Sequence, residues 1–126
     1  MSKVKELLAL AKQEQVQGIL AVGGGSVIDT AKTIVAGIFM DDPWTLFENR
    51  FNDVPALPVF TVLTLSGTGT EFDAGAVITN EEENKKWFFM AISVAPKVSV
   101  IDPSVQSSLP WYQTVNGSVD AMSHIM

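Results

Sequence analysis

Ile19-Leu20-Ala21-Val22-Gly23-Gly24-Gly25-Ser26-Val27-Ile28-Asp29-Thr30-Ala31-Lys32 decides the fold. Ile19 to Val22 is an apolar run of strand length, too short for a helix. Three glycines follow it directly. Ser26-Val27-Ile28-Asp29 has the spacing of a capping box and opens a helix. Ile28, Ala31, Val35 and Ile38 give that helix a stripe for a core. A buried strand, a glycine turn and a helix start, in that order, predict an α/β fold with a Rossmann-like parallel sheet.

Upstream, Val4, Leu7, Leu8 and Ala11 fall at i, i+3, i+4 and i+7, which predicts a first helix with Ser2 as N-cap. Gly18 closes the turn after it. Downstream, residues 41 to 58 hold three prolines and several aromatics, and read as an irregular surface connection. Val59 to Leu63 is a second buried strand. Ser66-Gly67-Thr68-Gly69-Thr70 is a small-residue loop. Ala74 to Thr79 and Lys86 to Met90 pair as a hairpin across the acidic turn Asn80-Glu81-Glu82-Glu83-Asn84. Val98 to Ile101 is a further strand, closed by Asp102-Pro103. Pro110 suits the first turn of a last helix running toward Met126, with Trp111, Val115, Val119 and Met122 as its apolar side.

Without side chains, Gly23, Gly24 and Gly25 let a ligand approach the backbone. The helix starting at Ser26 directs unpaired N–H groups and a partial positive charge to the same point. A pyrophosphate suits that position. A tight strand-to-helix turn with no ligand fits the same residues. The turn is neither G-x-G-x-x-G nor a phosphate loop ending in Gly-Lys-Ser/Thr, which weakens kinase and GTPase readings.

Bulk properties narrow the function further. The 126 residues suit one domain, and an apolar fraction of 47% is enough for a core. A net charge of −6, with eight Lys and Arg and no basic cluster, argues against nucleic acid as a partner. With no cysteine, disulfides, thiolate metal sites and cysteine nucleophiles are excluded. No segment approaches the ~20 apolar residues that span a bilayer, and Met1-Ser2-Lys3-Val4-Lys5-Glu6 is no secretion signal. The expectation is a cytoplasmic protein without membrane contact.

Asp120 and His124 stand four residues apart on the last predicted helix, which puts both on one face. A carboxylate and an imidazole so placed can chelate a divalent cation. They also fit an ordinary polar pair near a helix end. Ser66 and His124 do not make a serine hydrolase, because no G-x-S-x-G elbow is present.

Gly23-Gly24-Gly25-Ser26-Val27-Ile28-Asp29-Thr30-Ala31-Lys32 resembles the G-G-G-S-x-x-D-x-A-K segment of iron-containing alcohol dehydrogenases. Glycerol dehydrogenases and dehydroquinate synthases have a related version. Thr64 to Glu71 resembles the family's T-x-x-x-T-G-S-E loop, with Thr70 in place of the commoner Ser. Asp102-Pro103 to Leu109-Pro110, then Gly117-x-x-Asp120-Ala121-x-x-His124, resembles the D-P…L-P…G-x-x-D-A-x-x-H signature.

The resemblance implies an oxidoreductase that moves a hydride between NAD or NADP and a small alcohol or aldehyde. It implies cofactor contacts at Gly23, Gly24, Gly25, Ser26, Thr64, Thr68, Gly75 and Lys86. It implies that Asp120 and His124 are two ligands of Fe2+, or alternatively Zn2+, with two further histidines drawn from a later helical domain. This chain has one histidine in all. Asp73 stands where many relatives have Asn, and a charge there would repel phosphates.

By the same resemblance, residues 1–126 are a single truncated cofactor-binding domain that lacks the family's first strands and its C-terminal helical domain. Residues from about 110 would begin that helical domain. The chain then reads as a fragment, inactive alone. The alternative is a non-catalytic nucleotide-binding or oligomerising remnant. An exposed sheet edge and an uncovered helix face predict a homo-oligomer.

Overall fold

Eight of the nine elements that follow were expected from the sequence; one short helix was not. The structure is a computed structural model that describes residues 1–51 and 53–126. In chain order it has α1 (Ser2–Gln13), β1 (Ile19–Gly23), α2 (Gly25–Gly37), α3 (Thr45–Asn49), β2 (Val59–Leu63), β3 (Gly75–Asn80), β4 (Lys85–Met90), β5 (Val98–Val100) and α4 (Trp111–Ser123). Short 3-10 turns at Ile92–Val94 and Pro103–Gln106 complete it.

The parallel sheet has the order β1-β2-β5. Ile19 pairs with Val59 and Gly23 with Leu63, so β1 and β2 end at the same level. Parallel neighbours need a crossover, and α2 with its following connection supplies it. The glycine turn after β1 and the Thr loop after β2 therefore leave the sheet side by side. A crevice outside the carboxyl ends of parallel strands is where open α/β sheets hold ligands.

β3 and β4 form a separate antiparallel hairpin, registered from Gly75↔Met90 to Asn80↔Lys85. Alternation along it gives two different faces. Ala76, Ile78 and Phe89 are buried, whereas Val77, Lys86, Phe88 and Met90 are exposed.

The core runs between the helices and both sheets, with Ile28, Val35, Leu46, Phe47, Val59, Leu63, Phe89 and Val94 nearly or wholly inaccessible. The predicted stripe of α1 is borne out at Val4, Leu8 and Ala11.

Four local expectations are corrected. Met1, not Ser2, is the N-cap of α1, and no side chain caps it. The capping box does not form either. Gly24 is the N-cap of α2, two residues before Ser26, and the Asp29 carboxylate accepts from Thr70 and Val77 instead.

Residues 41 to 58 are not wholly an irregular surface connection, because α3 lies within them and buries Leu46 and Phe47. Trp44 stacks on Phe47 at 4.9 Å and on Trp87 at 5.4 Å, while Phe47 meets Phe89 edge-on at 5.0 Å. This aromatic cluster fastens the hairpin to the body; such pairs contribute about 0.5–1.5 kcal/mol each beyond area burial. Finally, α4 buries none of its residues, and its intended apolar side, including Trp111 and Val119, is exposed. No helix among the described residues is long and apolar enough to cross a membrane.

Candidate functional site

The Gly23–Gly25 turn is built by close contact. A Cβ on Gly23 would meet Val27 at 2.6 Å, one on Gly24 would meet Leu65 at 3.2 Å, and one on Gly25 would meet Thr68 Oγ1 at 3.0 Å. The turn thus lies flush against both its own helix and the Thr loop. The Thr64 amide donates to the Gly23 carbonyl at 3.0 Å, continuing the sheet pairing past the strand ends. Ser99 ties the same loop down from the far strand: its hydroxyl donates to the Glu71 carbonyl and accepts from Thr61 Oγ1.

α4 approaches from outside. A Cβ on Gly117 would lie 2.3 Å from the Ser66 carbonyl oxygen, so helix and loop touch backbone to backbone. Ser66 is held in turn by Gln106, whose Oε1 accepts from its hydroxyl at 3.0 Å. Asp102 accepts from the Ser104 amide at 2.9 Å and caps the 3-10 turn that carries Gln106. The D-P signature is thereby a positioning motif for the loop. One turn on from Gly117, Asp120 Oδ2 reaches within 3.5 Å of where a Gly67 Cβ would stand.

One cleft of about 470 Å³ gathers seven of the ten predicted site residues. Gly25, Ser26 and Thr68 line it together with Gly75, Lys86 and Phe88 of the hairpin and with Asp120 and His124. Gly23, Gly24 and Thr64 do not line it. Gly23 is buried at the end of β1. The larger groove, about 790 Å³, lies between α1, α2 and the edge of β1 and holds none of this chemistry except Ser26.

Sequence reasoning missed a charged network in which Asp29, Thr70 and Asp73 line the cleft and Lys32 lies buried beneath them. Lys32 is fully buried. Its ammonium donates to Asp73 Oδ1, the Asp73 carbonyl and the Gly75 carbonyl, each at 2.8 Å, and to Thr70 Oγ1 at 3.0 Å. Thr70 donates to Asp29 Oδ1 at 2.5 Å, and Asp29 Oδ2 accepts from the Val77 amide at 3.0 Å. Burial pushes the Asp29 carboxyl above the ordinary carboxylate range, against the opposing pull of Thr70, Val77 and Lys32. Asp73 lines the cleft, half exposed, with its carboxylate paired to the Lys32 ammonium. The usable signal was a lysine on the apolar stripe of α2, with Asp73 forty-one residues on.

Residues 1–103 match the family model described as iron-containing alcohol dehydrogenase. The chain belongs to that family. A probable NADH-dependent butanol dehydrogenase of Bacillus subtilis is 41% identical over 126 residues, covering 99% of this chain and 32% of that relative. The NADPH-dependent aldehyde reductase of Escherichia coli is 40% identical, over 91% of this chain and 31% of its own length. Among solved structures, an NADH-dependent butanol dehydrogenase of Thermotoga maritima superposes with a TM-score of 0.94 at 51% identity, covering 98% of this chain and 31% of its own.

The chain thus spans about a third of the length of the iron-containing dehydrogenases it matches. The predicted α/β fold, parallel sheet plus antiparallel hairpin, is borne out by both the topology and that superposition. Asp120 and His124 lie beyond the residues of the family model but inside the stretch aligned with the Bacillus relative.

Proposed function

We propose that this chain is the cofactor-binding part of an NAD(P)-linked, metal-dependent alcohol dehydrogenase acting on a small alcohol or its aldehyde. One observation carries the reading: the amide-bearing start of α2 and the Asp120–His124 pair line the same cleft.

The residues present fit a dinucleotide. The first two residues of α2, Gly25 and Ser26, line the cleft, their amides precede the first helical hydrogen bonds at Val27 and Ile28, and a Cβ on Gly25 would press on Thr68 at 3.0 Å. A diphosphate would sit on those amides. Thr68 would offer its hydroxyl, and the Gly75 backbone and Lys86 would meet the ribose side from the hairpin. When bound, the nicotinamide supplies the hydride chemistry. The chain's own share is to orient that ring toward Asp120 and His124.

The residues present do not complete a metal site. Among the described residues no cluster of three or more His, Cys, Asp or Glu could hold an ion. A catalytic metal keeps about three protein ligands and an open position. Asp120 and His124 would be two of them for Fe2+ or Zn2+, with the rest supplied from outside these 126 residues. We read α4 as the first helix of a further domain that brings those ligands, which accounts for its exposed apolar residues.

Titration with NADH and NADPH, followed by nicotinamide fluorescence, beside a turnover assay with 1-butanol and Fe2+ or Zn2+, tests the proposal. Cofactor binding without turnover is the expected result. Turnover by the 126-residue chain would contradict the incomplete site, and failure to bind either cofactor would contradict the dinucleotide reading. The second reading, an oligomerising remnant, is favoured by the open edge of β1, where Leu20 and Val22 are more than half exposed.

A further inference from the structure

We propose that Asp29 and Lys32 form a clamp that replaces a missing neighbour strand of β3 and so positions the hairpin wall of the cleft. The clamp's purpose rests on the dinucleotide reading above; its geometry does not.

Among the described residues β3 pairs with β4 alone. Main-chain groups on its other side face α2. There the Gly75 carbonyl accepts from Lys32 and the Val77 amide donates to Asp29. Those two groups lie on one strand edge, as alternate residues do. Asp29 and Lys32 lie on one face of the helix, as i and i+3 residues do. One turn of α2 thus presents an acceptor and a donor at the spacing a strand would offer. Thr70 joins the two prongs by donating to Asp29 and accepting from Lys32.

Net stability is a weak reason for this arrangement. A buried ammonium is costly to desolvate, and apolar residues of similar volume often replace buried ion pairs without loss. What the ammonium adds is direction. It fixes the Asp73 and Gly75 carbonyls at the mouth of the cleft, and it neutralises the Asp73 carboxylate beside the expected phosphates. The register then carries the constraint across the hairpin: Val77 opposes Phe88 and Thr79 opposes Lys86. Pinning residues 75 and 77 sets where Phe88 and Lys86 stand against Gly25 and Ser26.

The test uses the intact chain with Lys32→Met and Asp29→Ala, and with Val59→Ala as a core control at the far end of the sheet. Two quantities are read: amide hydrogen exchange at Val77 without ligand, and NADH affinity. Asp29→Ala should speed Val77 exchange by about tenfold or more relative to Ile78, as loss of its partner opens that amide locally. Both clamp variants should weaken NADH by about tenfold, while Val59→Ala lowers Tm and leaves affinity near wild type.

Unchanged Val77 exchange, or unchanged affinity in both clamp variants, overturns the proposal. So does a Val59→Ala chain that loses as much affinity at an equal loss of Tm, since the role would then be structural only. If Lys32→Met does not fold, Asp29→Ala alone decides. If the wild-type chain binds no NADH while Val77 still responds, the dinucleotide reading fails and the clamp stands.

Discussion

Gly117 and Gly25 show how much rests on absent carbons. A methyl group on Gly117 would be driven into the Ser66 carbonyl at 2.3 Å, and neither backbone has a flexible end to yield. Gly117→Ala is expected to cost about 1–3 kcal/mol by overpacking, read as a lower Tm, or to lift α4 off the loop. In the second case the melt hardly changes, but Asp120 and His124 leave the cleft and metal-induced shifts of the His124 ring resonances disappear.

Gly25 differs, because its neighbour is a side chain, that of Thr68 at 3.0 Å, and a shift of a few tenths of an ångström makes room. Gly25→Ala should therefore fold, with a Tm within a few degrees of wild type, and should weaken NADH by about tenfold by narrowing the diphosphate seat. Unaltered NADH affinity in a folded Gly25→Ala chain would remove this turn from the binding site.

Asp29 joins α2 to the hairpin, and its ionisation is where pH enters. Its carboxyl is raised by burial. A raised carboxyl favours the folded state most when protonated. That contribution is complete below the unfolded value near pH 4 and is lost as pH rises through the folded value. Asp29→Asn does not titrate. The Tm of wild type minus that of Asp29→Asn should accordingly fall across this window and level off above it. A difference that stays flat from pH 3 to pH 7 would show that the carboxyl is not raised.

At the same scale, the aromatic cluster of Trp44, Phe47, Trp87 and Phe89 holds the opposite side of the hairpin. The hairpin is thus fastened by packing on its core face and by hydrogen bonds on its α2-facing edge.

The molecule as a whole leaves the outer edge of β1 unpaired among the described residues. The groove beside it is lined by Leu7, Leu10, Leu20, Val22 and Val27, and Leu10 and Val27 are about half exposed. Open edges and apolar patches of this kind associate. Light scattering at micromolar concentration should give a mass above the 13.6 kDa of one chain. Leu20→Lys with Val22→Lys should bring it down to one chain. A wild-type mass of one chain would count against self-association.

The sequence by itself determined the order and kind of most elements, since apolar periodicity and glycine placement act over a few residues. It marked the turn at Gly23–Gly25 and the Asp120–His124 spacing for the same reason. It did not yield α3, whose five residues are too few to show a period and which forms because Leu46 and Phe47 find a core. Nor did it yield the Lys32–Asp73 pair or the split between glycines that line the cleft and glycines that do not. Only tertiary structure decided those, because a buried charge is tolerable only where chain segments far apart in sequence bring its acceptors together.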